Sequence, residues 1–219
     1  MKDELETLLR EVGQKFQKSP VKALAQKLGR EWHYSLLTAP ALTHGAPLIV
    51  GLNWGADRVE PHVPQTEIRL TPYAKEDRAS LARLDRYFVR LFGADFLNLV
   101  CQTNYCFFRS ETEAQLTPED FRLCQPLFHR LLDILRPSTV FCFSSKLRDH
   151  LLAIEKDAFA ERTTISWQAG SRQVSYEVMR GRFAGKFDIV SLPHPMFHMP
   201  DAAREQAWIA AFPALNAAG

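Results

Sequence analysis

Four short apolar stretches limit what this chain can fold into: residues 47–53, 96–103, 138–144 and 187–193. Each is bounded by polar or turn-forming residues and shows little polar–apolar alternation. Strands of a parallel sheet covered on both faces have this character, because neither face meets water. The segments between them repeat at helical spacing. In residues 77–92, Leu81, Leu84, Phe88 and Leu91 share one side, and Arg83, Arg86 and Arg90 the other. The next helix is signalled more fully. Thr117 suits the N-cap, Pro118 the first helical position, and Glu119 and Asp120 the first turn. Phe121, Cys124, Phe128, Leu131, Leu132 and Leu135 form its buried side, Pro126 predicts a kink, and Arg136-Pro137 ends it. Further helices are expected over 146–159 and from Asp201 to just before Pro213.

Before the first strand, Leu5, Leu8, Leu9, Val12 and Phe16 mark one helix, and Ser19-Pro20 starts a second that ends near Gly29. Residues 163–180 alternate about Gly170-Ser171 and read as a β-hairpin. The expected fold is α/β. It is a three-layer α/β/α domain over 1–219, with a central four-stranded parallel sheet, an N-terminal helical cap over residues 1–40 and an inserted hairpin. At 219 residues, 46% of them hydrophobic, the chain can bury one substantial core.

Charge and cysteine usage narrow the classes. A net charge of +2 permits nucleic-acid binding without arguing for it. No apolar run reaches the ~18 residues that span a bilayer. The opening Met1-Lys2-Asp3-Glu4 is too charged for a signal peptide, so no membrane partner and a cytoplasmic location (nuclear in a eukaryote) are expected. Cys101, Cys106, Cys124 and Cys142 form no C-x-x-C pair and read as reduced, buried small hydrophobes. His194 and His198 have the i, i+4 spacing of a zinc helix, but Pro195 and Pro200 exclude a helix across them. No metal, cluster or other cofactor is expected.

In doubly wound folds, ligands bind beyond the carboxyl ends of the parallel strands. The residues expected there are Gly51-Leu52-Asn53, Asn104-Tyr105, Ser144-Ser145 and Pro193-His194-Pro195. Two amides, two hydroxyls and an imidazole would converge, with no carboxylate. A serine hydrolase using Ser144 or Ser145 with His194 would need a nucleophile elbow, and none exists. A generic nucleotide-binding α/β protein would show a glycine-rich phosphate loop after the first strand, and that is absent too.

Gly51-Leu52-Asn53-Trp54-Gly55 resembles the first motif of the uracil-DNA glycosylase superfamily, Gly-x-Asn-Pro-Gly. Asn104-Tyr105-Cys106, followed by the helix opened by Thr117-Pro118, resembles the second motif of its single-strand-selective monofunctional branch. His194-Pro195 resembles the start of the His-Pro-Ser motif, which precedes a loop that enters DNA. The resemblance spans roughly residues 45–212 with the motifs in family order. Trp54, Phe107 and Met196 stand where the family has Pro, Pro and Ser.

The resemblance implies a monomeric enzyme that removes uracil or a related base from DNA. Asn53 would hold the attacking water and His194 would donate to uracil O2 as charge develops there. Asn104, with Gly51 and Tyr105, would recognise the base, its amide accepting from N3–H and donating to O4. Ser144 and Ser145, at a helix start, would bind a DNA phosphate. Met196 and Phe197, with Met199 and beside His198, would fill the gap left by the flipped base. The departures at Trp54 and Met196 keep open a homologue that binds DNA or a nucleotide without cutting.

Overall fold

In the computed structural model, the described residues are 1–56, 64–68, 70, 82, 84–155 and 157–218. They form a six-stranded sheet and six α-helices. In chain order these are α1 (Lys2–Phe16), α2 (Pro20–Lys27), β1 (Leu48–Gly55), α3 (Asp85–Phe92), β2 (Cys101–Ser110), α4 (Pro118–Leu135), β3 (Val140–Cys142), α5 (Ser145–Ile154), β4 (Glu161–Ala169), β5 (Arg172–Phe183), β6 (Phe187–Ser191) and α6 (Asp201–Ala211). The sheet order is β2-β1-β3-β6-β5-β4. β2, β1, β3 and β6 run parallel, and β5 and β4 extend the sheet antiparallel.

The four-stranded sheet expected from the sequence is therefore too small. The hairpin is not appended to the domain but completes its sheet. β5 pairs with β6 from Met179↔Ser191 to Phe183↔Phe187, which satisfies backbone groups that β6 would otherwise leave open. At the opposite edge, residues 33–38 run along β2. Ser35 N–H donates to Phe107 O, and Gln102 N–H donates to Thr38 O. The N-terminal segment is thus helical only to Lys27 and extended beyond, where it seals the sheet.

Two apolar clusters sandwich the sheet. Residue alternation along the central strands separates them: Val140 and Cys142 face one, Phe141 and Phe143 the other. The first lies under α1, α2, α4 and α5, with Leu5, Leu8, Leu9, Val12 and Phe16 of α1 all buried. The second lies under α3 and α6, built on Phe88, Phe141 and Trp208. Tyr87 stacks on Trp208 at 4.4 Å. This is the three-layer α/β/α arrangement.

Local signals behave as their chemistry requires. Ser19 caps α2, accepting from Lys22 N–H at 3.2 Å. In α4, Thr117 and Asp120 cap each other, and the buried Asp120 also accepts from Val21 N–H at 3.1 Å, tying α2 to α4. The helix continues through Pro126.

Several element boundaries differ from expectation, three of them with a packing consequence. The second strand begins five residues late, because Phe96–Asn98 forms a 3-10 turn whose Phe96 packs edge-on to Phe88. α5 stops at Ile154 rather than 159. Residues 158–160 instead press against Gly181, where a Cβ would lie 2.2 Å from Ala158 O. Of the helix expected over 77–92, the described part is α3. Leu81 and Arg83 lie outside the described residues. Arg86 and Arg90 are exposed on the outer face of α3. They pair with Asp201 (3.3 Å) and Glu205 (2.6 Å), and Arg90 also donates to Leu215 O, so they join α3 to α6 and the C-terminal turn. No described helix is long and apolar enough to cross a membrane.

Candidate active site

A cleft of about 520 Å³ opens at the carboxyl ends of β1, β3 and β6. It gathers Gly51, Asn53, Asn104, Ser144, Ser145 and His194 from separate parts of the sequence. Ile49, Leu84, Phe143 and Pro195 supply apolar wall, and Gln102, Glu113 and Lys146 also line it. An apolar hollow with a few converging polar groups is the usual form of a small-ligand site.

Asn104 does not follow β2 but sits within it, level with Gly51 of β1. It is only 8% exposed, and its amide makes no hydrogen bond with a described residue. A buried amide without partners forfeits stabilisation that a complementary ligand would supply. Tyr105, the next residue, necessarily points through the opposite face. Its ring is fully buried against Phe128 and His150, with centroids 5.0 and 4.8 Å away. Burial pushes its phenol well above the ordinary range. The expected part of Tyr105 in recognition is thus corrected: its side chain belongs to the core.

Asn53 is half-buried. Its Nδ2 donates to Trp54 O at 3.1 Å and to Ser110 Oγ at 3.0 Å. Trp54 has the Arg109 guanidinium 5.6 Å from its ring centroid. Arg109 in turn donates to Gly55 O and Ser35 Oγ.

His194 is exposed at the cleft mouth. Its Nδ1 accepts from Met196 N–H at 3.1 Å, so the single proton of the neutral ring sits on Nε2. Desolvation, and after it the positive charge of Arg204, hold its pKa below the ordinary 6.5. At neutral pH His194 is therefore an uncharged Nε2–H donor. Arg204 also donates to the carbonyls of His194 (3.4 Å) and Phe197 (2.6 Å), bracing the turn.

Ser144 Oγ caps α5, accepting from Leu147 N–H at 3.2 Å, while Ser145 and Lys146 are exposed on its first turn. Lys146 pairs with Glu113 across the cleft rim. Met196, Phe197 and His198 do not line this cleft. They border an adjoining hollow of about 540 Å³ with Arg86 and Arg204, and Pro195 is shared between the two. Met196 and Phe197 are 59% and 40% exposed, whereas Met199 is buried and cannot act as a wedge. Sequence reasoning passed over Ser110, Glu113, Phe143 and Lys146. Phe143 and Lys146 flank the Ser144-Ser145 pair, but nothing local marks Ser110 or Glu113.

The four cysteines are free and buried. Burial raises the thiols of three of them, to about 11 for Cys101 and about 12 for Cys142, and well above the ordinary value for Cys106. These are poor nucleophiles. Among the described residues, no group of three or more His, Cys, Asp or Glu is placed to hold a metal ion. Compared with known protein families and with characterised proteins, the chain matches none.

Proposed function

We propose that the protein is a monofunctional DNA glycosylase that hydrolyses the N-glycosidic bond of uracil or a related deaminated or modified base, acting as a monomer. One observation carries this reading. The three residues on which the motif resemblance rests, Asn53, Asn104 and His194, line a single cleft at the carboxyl ends of the parallel strands.

A base paired in a duplex has to leave the stack before a protein can work on its glycosidic bond. In the cleft, the Asn104 amide, which bonds no described residue, accepts from uracil N3–H and donates to O4. Cytosine presents the reverse pattern and would leave buried polar groups unpaired. As the C1′–N1 bond breaks, its electron pair goes to the base and positive charge builds on the sugar. The Nε2–H of neutral His194 stabilises the charge growing on O2. A water held by Asn53 Oδ1 attacks C1′ and gives up its proton to solvent. No strong general base is needed because the sugar cation is a strong electrophile. Ser145 and Lys146, on the first turn of α5, offer N–H donors to a phosphate, for which Lys146 would have to leave Glu113. Met196 and Phe197 can enter the gap left in the strand.

The test is a panel of oligonucleotides carrying uracil, hydroxymethyluracil, xanthine or hypoxanthine, single- and double-stranded. The expected product is an abasic site from at least one of them. Salt-dependent DNA binding with no excision would replace this reading by that of a homologue that binds without cutting. Neither binding nor excision would remove both.

A further inference from the structure

β1 and β2 fall out of register beside Asn53. Asn53 is level with Cys106, but Trp54 is level with Arg109 and Gly55 with Ser110. β2 absorbs two extra residues, Phe107 and Phe108, and buries both rings. Such irregularities re-aim side chains and are common beside functional sites. Here the shift draws Ser110 two residues closer to Asn53 than an unbroken ladder would.

Ser110 is almost completely buried. Its hydroxyl donates to Thr112 O at 2.9 Å, which leaves an Oγ lone pair to accept from Asn53 Nδ2 at 3.0 Å. The second Nδ2 proton goes to Trp54 O at 3.1 Å. A carbonyl oxygen can only accept, so the amide nitrogen must lie on this side. Both protons are then engaged. Oδ1 is the remaining polar atom of Asn53, bonded to no described residue, on a side chain that lines the cleft. The Thr112 anchor is itself fixed, because Thr112 N–H donates to Gln115 Oε1 at 2.9 Å in a reciprocal cap of the 3-10 turn Glu113–Gln115. That turn also carries Glu113, the partner of Lys146 on the cleft rim.

We propose that Ser110, anchored on the Thr112 carbonyl, is a positioning residue that locks the Asn53 amide in one orientation and makes this corner of the cleft an acceptor for a hydrogen-bond donor. The orientation follows from the bonds alone. That the donor is the attacking water rests on the glycosylase reading above.

The test uses the full chain labelled with ¹⁵N. The Asn53 side-chain NH₂ signals are identified by their disappearance in Asn53→Ala. In the parent they should exchange with water at least about tenfold more slowly than those of a freely solvated amide, as expected for two hydrogen bonds. Ser110→Ala should abolish much of that protection and Ser110→Thr should retain it. Single-turnover excision should fall about tenfold in Ser110→Ala, the loss of one good hydrogen bond. The substrate concentration for half-maximal rate should not change, and Ser110→Thr should restore the rate. Unprotected Asn53 signals in the parent overturn the proposal whatever the activity, and so does equal protection in Ser110→Ala. If Ser110→Ala does not fold, the parent and Ser110→Thr spectra still decide it. A parent that is protected at Asn53 but cuts no base removes the glycosylase reading and leaves the orientation of Asn53 standing.

Discussion

Gly51 and Asn104 meet across the β1–β2 ladder so closely that a methyl group on Gly51 would lie 2.1 Å from Asn104 Oδ1 and 3.2 Å from its Cγ. The Gly51 backbone is ordinary, so what it requires is space, not a left-handed conformation. That space is where the Asn104 amide lies. Gly51→Ala should therefore leave the fold intact, with a melting temperature close to the parent's. It should push the Asn104 amide aside and lower excision by about 10- to 100-fold, the worth of one or two buried hydrogen bonds. Thermal melts together with single-turnover rates check this. An unchanged rate would mean that Asn104 does not read the base.

Asn53 and His194 reach the cleft from the end of β1 and from the turn after β6, and neither is part of an apolar cluster. Asn53→Ala and His194→Ala should each fold normally. Each should slow single-turnover excision, by ~10²–10³ where a stabiliser of developing charge is lost. Parent-like rates on uracil substrates for both variants would show the site to be wrongly assigned.

Asn104→Asp changes the hydrogen-bond code rather than removing it. A carboxylate cannot donate to O4, but a protonated aspartic acid can donate to N3 of cytosine. Selectivity should move from uracil towards cytosine, at a low absolute rate. Matched uracil and cytosine oligonucleotides give the ratio directly, and an unchanged ratio would separate Asn104 from base choice.

Two histidines give acid-side predictions with a defined sign. Desolvation lowers the pKa of His150 below 6.5, and lowers that of His194 together with Arg204. For each, the folded state takes up a proton less readily than the unfolded chain. The associated stability is fully present above the ordinary histidine range and is lost as pH falls through the depressed folded value. Melting temperature should be flat above about pH 7 and decline below about 6.5. His150 packs against Phe121 and Tyr105, so His150→Phe should flatten that decline. Protonation of His194 Nδ1 would also break its bond from Met196 N–H, so the excision rate should fall on the acid side, below the ordinary histidine range. A rate that rises towards pH 5 would exclude neutral His194 as the donor.

The hydrophobic periodicities and the local caps were legible in the sequence. Leu5 to Phe16 had to become one buried stripe, Thr117-Pro118 had to open a helix, and the runs around Val50, Phe141 and Val190 had to become strands covered on both sides. These outcomes depend on neighbours a few residues apart, which is why Gly51, Asn53, Ser144 and His194 were found at one end of the sheet. What only the tertiary structure decided depends on pairing between distant segments. The hairpin joined the sheet because β6 had an open edge, and residues 33–38 closed the other edge at β2. β2 began late because Phe96 packs edge-on to Phe88, and its pairing with β1 runs on to Ser110, which leaves Asn104 inside the strand and Tyr105 on the far face. The two-residue register shift after Asn53 then brought Ser110 beneath its amide. A strand's side chains alternate between faces, so its start, its register and any bulge decide which residues reach the cleft, and no local pattern in this chain encodes those three choices.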